Sequence, residues 1–186
     1  MNVVLASGSP QRREILQKLG IEFEIVVPGV EELVGGDPEA EVLENARRKA
    51  RAVPDGTEAD RLVIACDTDV VLDGRALGKP ADEADARDYL DRLSGRAHEV
   101  LSALVVRDAA GERSGMERTT VVFKQLDDAA KERYVRFGEW RGRSGGYAIQ
   151  TLGSTLVARV EGSVSNVVGL PVGLLAGLAP DLLDRG

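Results

Sequence analysis

Five consecutive apolar residues, Leu62 to Cys66, run directly into Asp67. An unbroken apolar run of this length does not suit a half-exposed surface; it describes a strand covered on both faces, and so a sheet with helices packed on either side. The N-terminus repeats the theme, with Val3, Val4 and Leu5 ending at Ser7, Gly8, Ser9 and Pro10. Ser9 followed by Pro10 reads as a helix cap with proline in the first turn. Ile15, Leu16 and Leu19 then give the apolar stripe and Gly20 the stop. Strand, loop and helix in that order are the building unit of an α/β fold.

The remaining chain reads in the same terms. Phe23, Ile25 and Val27 alternate like a strand, and an acidic loop through Glu31 and Glu32 leads to a helix opening at Asp37 and Pro38 and running to about Val53. Val70 to Leu72 follow the apolar run and end in a turn at Asp73 and Gly74. Asp82 caps a helix with Ala86, Leu90 and Leu93 on its apolar side. From Val100 to Lys124 the pattern is a hairpin turning near Gly111. A short helix at Ala129 to Val135, a Gly-rich segment from Gly138 to Gly146, a strand at Thr155 to Val160 and a final helix after Pro171 complete the reading. Residues 1–186 are expected to form one domain of two lobes, since no linker or repeat divides them.

Composition narrows the class of function. A formal net charge of −7 argues against a protein that grips nucleic acid by counterion release, although a few cations focused in one cleft can still take a small anion. No stretch approaches the ~20 apolar residues of a membrane span. The N-terminus enters a strand without a signal-peptide layout, so the expected location is cytoplasmic. Cys66 is the only cysteine, which rules out an intramolecular disulfide, and its apolar surroundings suggest a small buried thiol.

Three features call for a chemical explanation. The loop Ser7 to Arg13 sets hydroxyls, backbone amides and guanidinium groups at a helix N-terminus, which is either an anion site or a capped surface helix. Lys49 falls at the edge of the arc formed by Val42, Ala46 and Val53, so it either snorkels or points into a polar cleft. Asp67, read as lying at the carboxyl end of a central strand, can bind Mg²⁺ or orient water, or else merely cap a turn. Lys79, His98 and the Gly-rich segment carry little weight singly, and Gly142 to Gly146 match neither a Walker loop nor a dinucleotide fingerprint.

Together, LASGSPQRREIL (residues 5–16), ARRKA (46–50), DTDVVLDGRALGKP (67–80), LSGRAHEV (93–100), SGGYAIQ (144–150) and NVVGLP (166–171) resemble the Maf family, also known as septum-formation inhibitor proteins. The resemblance covers nearly the whole chain. It implies a twisted mixed sheet with flanking helices, two lobes around a central cleft, and kinship in architecture with the inosine triphosphate pyrophosphatases. It also implies hydrolysis of nucleoside triphosphates between the α and β phosphates, dependent on Mg²⁺ or Mn²⁺. Ser7, Glu32, Lys49, Asp67 and Lys79 correspond to the family's polar active-site set. Glu32 and Asp67 fall to the metal, with Asp67 alternatively activating water, and Lys49, Lys79 and Arg12 surround the phosphates.

Arg12, Thr68 and Gln150 match the branch that prefers dTTP and UTP over 7-methyl-GTP. Two positions depart from the family pattern. Gln11 replaces the first of two successive arginines, and Asp69 replaces an aliphatic residue beside Asp67. The competing readings are a non-catalytic nucleotide- or protein-binding regulator of septum formation, and a pyrophosphatase for purine or modified nucleotides. A homodimer is compatible with the resemblance.

Overall fold

The computed structural model describes residues 1–54 and 61–183. Among them, seven strands form one mixed sheet in the order β2-β1-β3-β5-β6-β7, with β4 on the free flank of β3. The opening unit is β1 (Asn2–Leu5), capped helix α1 (Pro10–Lys18) and the parallel edge strand β2 (Glu24–Ile25). Helix α2 (Pro38–Arg51) then leads into β3 (Arg61–Leu72), which lies parallel to β1, and into β4 (Arg75–Ala76). Helix α3 (Glu83–Leu93) precedes the hairpin of β5 (Ala97–Asp108) and β6 (Gly111–Phe123), and helix α4 (Asp128–Phe137) follows it. Two short 3-10 turns, Ser144–Gly146 and Thr151–Thr155, lead to β7 (Val157–Glu161). The chain closes on α5 (Val164–Val168), α6 (Val172–Leu178) and α7 (Pro180–Leu183).

Side-chain alternation along the strands decides what each face meets. Val3 and Leu5, Leu62, Ile64 and Cys66, and Leu104 and Val106 share a core with Leu16 of α1 and Leu175 of α6. The alternate residues Val4, Val63, Ala65, Ala103 and Val105 pack with Val42, Ala46 and Ala50 of α2. A third core, around Leu90, Leu93, Phe123, Tyr134 and Trp140, gathers α3 and α4 against the far ends of β3, β5 and β6. Strands β3 and β5 are thus common to both ends of the molecule, and the cleft opens between the cores.

Several expectations are corrected. The stretch read as two strands separated at Asp67 to Asp69 is the single strand β3, because β5 pairs with it without interruption from Val63 through Val71. Asp67 is therefore inside a strand and not at its carboxyl end. The carboxyl end that matters belongs to β1, which pairs with β3 only as far as Ile64 and leaves one flank of the following residues open. The alternation of Phe23, Ile25 and Val27 yields only the two-residue edge strand β2, with Val27 67% exposed. Leu19 is the C-cap of α1 and is exposed, so the stripe rests on Leu16 with Ile15 beside it. Helix α5 was not anticipated, since five residues show little periodicity. Cys66 is buried as expected.

Candidate active site

The open flank of β3 borders a cleft of about 380 Å³, within the range of a small-molecule site. Strand alternation turns Asp67 toward α2 and Thr68 toward α1. On α2, Glu41, Asn45 and Lys49 recur every four residues beside the apolar stripe, a spacing that brings them onto one side of the helix. Lys49 Nζ lies 2.5 Å from Asp67 Oδ1 and 2.6 Å from Glu32 Oε1. Asn45 Nδ2 donates to Asp67 Oδ2 at 3.2 Å, and the same amide holds the acidic loop through Leu33 N and O. Lys49 therefore points into a polar cleft, which resolves the alternative left by its position on the helix.

Partial burial opposes ionisation of Glu32, but the hydrogen bond and charge of Lys49, with Lys79 and Arg12 adding theirs, hold its pKa below the ordinary carboxylate value. At Asp69 burial dominates and pushes the carboxyl up to about 6, opposed by a hydrogen bond from Ser144 Oγ and reinforced by Asp67, Glu32 and Glu41. Asp69 is half-buried and accepts from Ser144 Oγ at 2.7 Å.

The opposite wall is organised by Arg12. The residue is 8% exposed, and its guanidinium donates to Gly169 O at 2.8 Å, Ser7 Oγ at 3.0 Å and Thr68 Oγ1 at 3.1 Å. Thr68 Oγ1 also meets Ser102 Oγ at 2.8 Å. None of these partners is charged, so the arginine's charge is left for a ligand. Arg13, one helical step on, is exposed and does not line the cleft.

Lys79, which is exposed, and Gln150, next in the chain to Ile149, both line the cleft. Ser7, Arg12, Glu32, Lys49, Asp67, Thr68, Lys79 and Gln150 all border this one cleft. Sequence reasoning missed Asn45 and Arg143. The signal for Asn45 was present, four residues before Lys49 on the same side of α2; nothing in the Gly-rich segment singled out Arg143.

A divalent cation fits the donor set. Glu32 and Asp67 are hard oxygen donors, and one or two carboxylates completed by phosphate oxygens are what Mg²⁺ ordinarily takes. Among the described residues there is no cluster of three or more His, Cys, Asp or Glu that would hold a metal without substrate oxygens.

A family model described as Maf-like protein matches residues 2–181. The chain belongs to the Maf family. A relative in Deinococcus radiodurans named dTTP/UTP pyrophosphatase is 47% identical over 174 residues, covering 93% of this Maf chain and 89% of the relative. One of the same name in Pelotomaculum thermopropionicum is 46% identical over 178 residues, covering 94% and 93%. The solved structure of a HAM1 protein from Coxiella burnetii aligns with 100% of this chain and 95% of its own at a TM-score of 0.51 and 16% identity, a likeness of fold.

Proposed function

We propose that this Maf-family chain hydrolyses dTTP and UTP to the monophosphate and pyrophosphate, acting as one domain in the cytoplasm with Mg²⁺ or Mn²⁺. The observation that carries this reading is the Glu32–Lys49–Asp67 array at the open flank of β3, across the cleft from Arg12, whose hydrogen-bond partners are all neutral. The names of its relatives support the substrate class. No helix among the described residues is long and apolar enough to cross a membrane, which is compatible with that location.

A triphosphate carries about four negative charges, so its approach and in-line attack by water require those charges to be offset and held. Arg12, Lys49 and Lys79 supply three cations around the cleft. The water oxygen forms a bond to the α-phosphorus, the bond to the bridging oxygen breaks, and pyrophosphate leaves with the electron pair. Asp67 is the candidate for taking the water proton, its alternative role being to hold the cation with Glu32, and Asn45 and Lys49 hold its orientation. Glu32 and Asp67 would hold the cation, whose chemistry is charge neutralisation on the phosphates. Thr68 acts through Arg12, to which it is hydrogen-bonded, whereas Gln150 offers an amide to the edge of a pyrimidine.

The test is pyrophosphate release from a panel of canonical and modified nucleotides with either metal. dTTP and UTP are expected to lead. A preference for ITP or 7-methyl-GTP would overturn the pyrimidine assignment, and no turnover on any nucleotide would overturn the enzymatic one.

A further inference from the structure

The position of Gln11 lacks the arginine of the family pattern, yet a guanidinium reaches it from elsewhere in the chain. With the Gln11 amide turned to satisfy both neighbours, its nitrogen donates to Ser9 Oγ at 3.1 Å. Its oxygen then accepts from both terminal nitrogens of Arg143, at 3.1 and 3.2 Å. Arg143 Nε donates to Glu139 O at 2.8 Å. Both contacts are to neutral acceptors, and among the described residues Arg143 forms no ion pair.

It shares that arrangement with Arg12, whose hydrogen-bond partners are also neutral. Most of the chain's other arginines with partners have a carboxylate, as Arg51 has Glu112 and Arg96 has Asp73. A half-buried guanidinium held only by an amide and a carbonyl keeps its charge for something else, and Arg143 lines the same cleft as Ser7, Arg12 and Lys79.

The loop that carries it is fixed at three points, two on β3 and one on the segment that follows β4. Ser144 Oγ donates to Asp69 and accepts from Val70 N, and Gly145 N donates to Gly78 O at 2.7 Å. Arg143 is thereby presented toward the Ser7–Ser9 loop.

We propose that Arg143 binds the phosphate tail of the substrate, supplying the cation that the position of Gln11 lacks, with the Gln11 amide holding it in place. This rests on the pyrophosphatase reading for the identity of the anion. A charge-assisted bond is about twice as strong as a neutral one, so the loss should show chiefly with the triphosphate.

The experiment measures binding of a non-hydrolysable α,β-methylene UTP and of UMP by calorimetry, alongside KM and kcat for UTP and the melting temperature. Arg143→Gln is expected to weaken the triphosphate analogue by about tenfold or more while UMP affinity changes much less. Moving the charge back, in Gln11→Arg combined with Arg143→Gln, is expected to restore analogue binding, which a purely structural role would not permit.

Unchanged analogue affinity in Arg143→Gln, an equal loss for UMP, or no rescue in the double variant would overturn the proposal. The binding measurements do not need turnover. An unaltered chain that binds the analogue without hydrolysing UTP counts against the pyrophosphatase reading alone, and one that binds no analogue defeats both.

Discussion

At the scale of single residues, the cleft depends on keeping charges that would be costly alone. Removing one partner of a buried ion pair costs about 3–5 kcal/mol when the other charge is left unpaired. Asp67→Asn does not leave Lys49 so exposed, because Glu32 remains 2.6 Å from its ammonium. The substituted amide also faces two donors, Lys49 Nζ and Asn45 Nδ2, and can accept from only one of them with its oxygen. A stability loss of about 1–2 kcal/mol is expected, set against a fall in turnover of about 10² to 10⁴ if Asp67 receives the water proton. If it chiefly holds the cation, nucleotide affinity and rate should fall together and added metal should restore part of both. Turnover, affinity and melting temperature on one purified variant separate these outcomes, and normal turnover with a normal fold would remove Asp67 from the mechanism. Lys49 and Asp67 were legible in the sequence because a charge bordering an apolar run has to be explained. Asn45 was not, because a mid-helix asparagine is commonplace until the strand opposite it is known.

Elements were legible where a local signal sets them. The caps Ser9, Asp37, Asp82 and Asp127 start α1 to α4, and each side chain accepts from the backbone amide three residues on. Strand β3 was misread because its middle, Asp67 to Asp69, is polar; only the long-range ladder with β5 holds it extended. The Gly-rich segment was legible as a tight loop, but not where it docks. Gly145 sits at φ 70°, and a Cβ there would lie 2.6 Å from Val70 Cγ2. Gly142 has nearly the same φ, 71°, with nothing within 4 Å of such a Cβ. Backbone strain is therefore common to both sites, at about 1 kcal/mol, and the clash is confined to Gly145. Gly145→Ala should lower the melting temperature several degrees more than Gly142→Ala and raise KM for UTP, because the loop must lift away from β3. Equal shifts in the two variants would show that the docking contributes nothing.

Across the whole molecule, one buried and one half-buried group give opposite responses to acid. His98 is enclosed by Phe123 and Tyr147, its Nε2 lies 2.8 Å from Tyr147 Oη, and burial lowers its pKa to about 4. The unfolded chain holds that proton up to about pH 6.5, so this group makes stability fall as pH drops from about 6.5 toward 4. Asp69 does the reverse: its folded pKa of about 6 lies above the ordinary 3.8, so its contribution is fully present below about pH 4 and is lost as pH rises through about 6. Between about pH 4 and 6 the two largely cancel in the unaltered chain. Asp69→Asn keeps an oxygen for the Ser144 hydroxyl and removes the ionisation. Stability should then rise with pH across this window, and the gain over the unaltered chain should be larger at pH 8 than at pH 4.5 by about 2 kcal/mol, at ~1.4 kcal/mol per pH unit. In a chain of this size that corresponds to roughly 4–8 °C in melting temperature. The comparison is made by thermal unfolding at both pH values with a chelator present, so that no cation changes the charge balance around Asp67. An Asp69→Asn variant less stable than the unaltered chain at pH 8 would mean that the carboxylate is held by a partner stronger than Ser144.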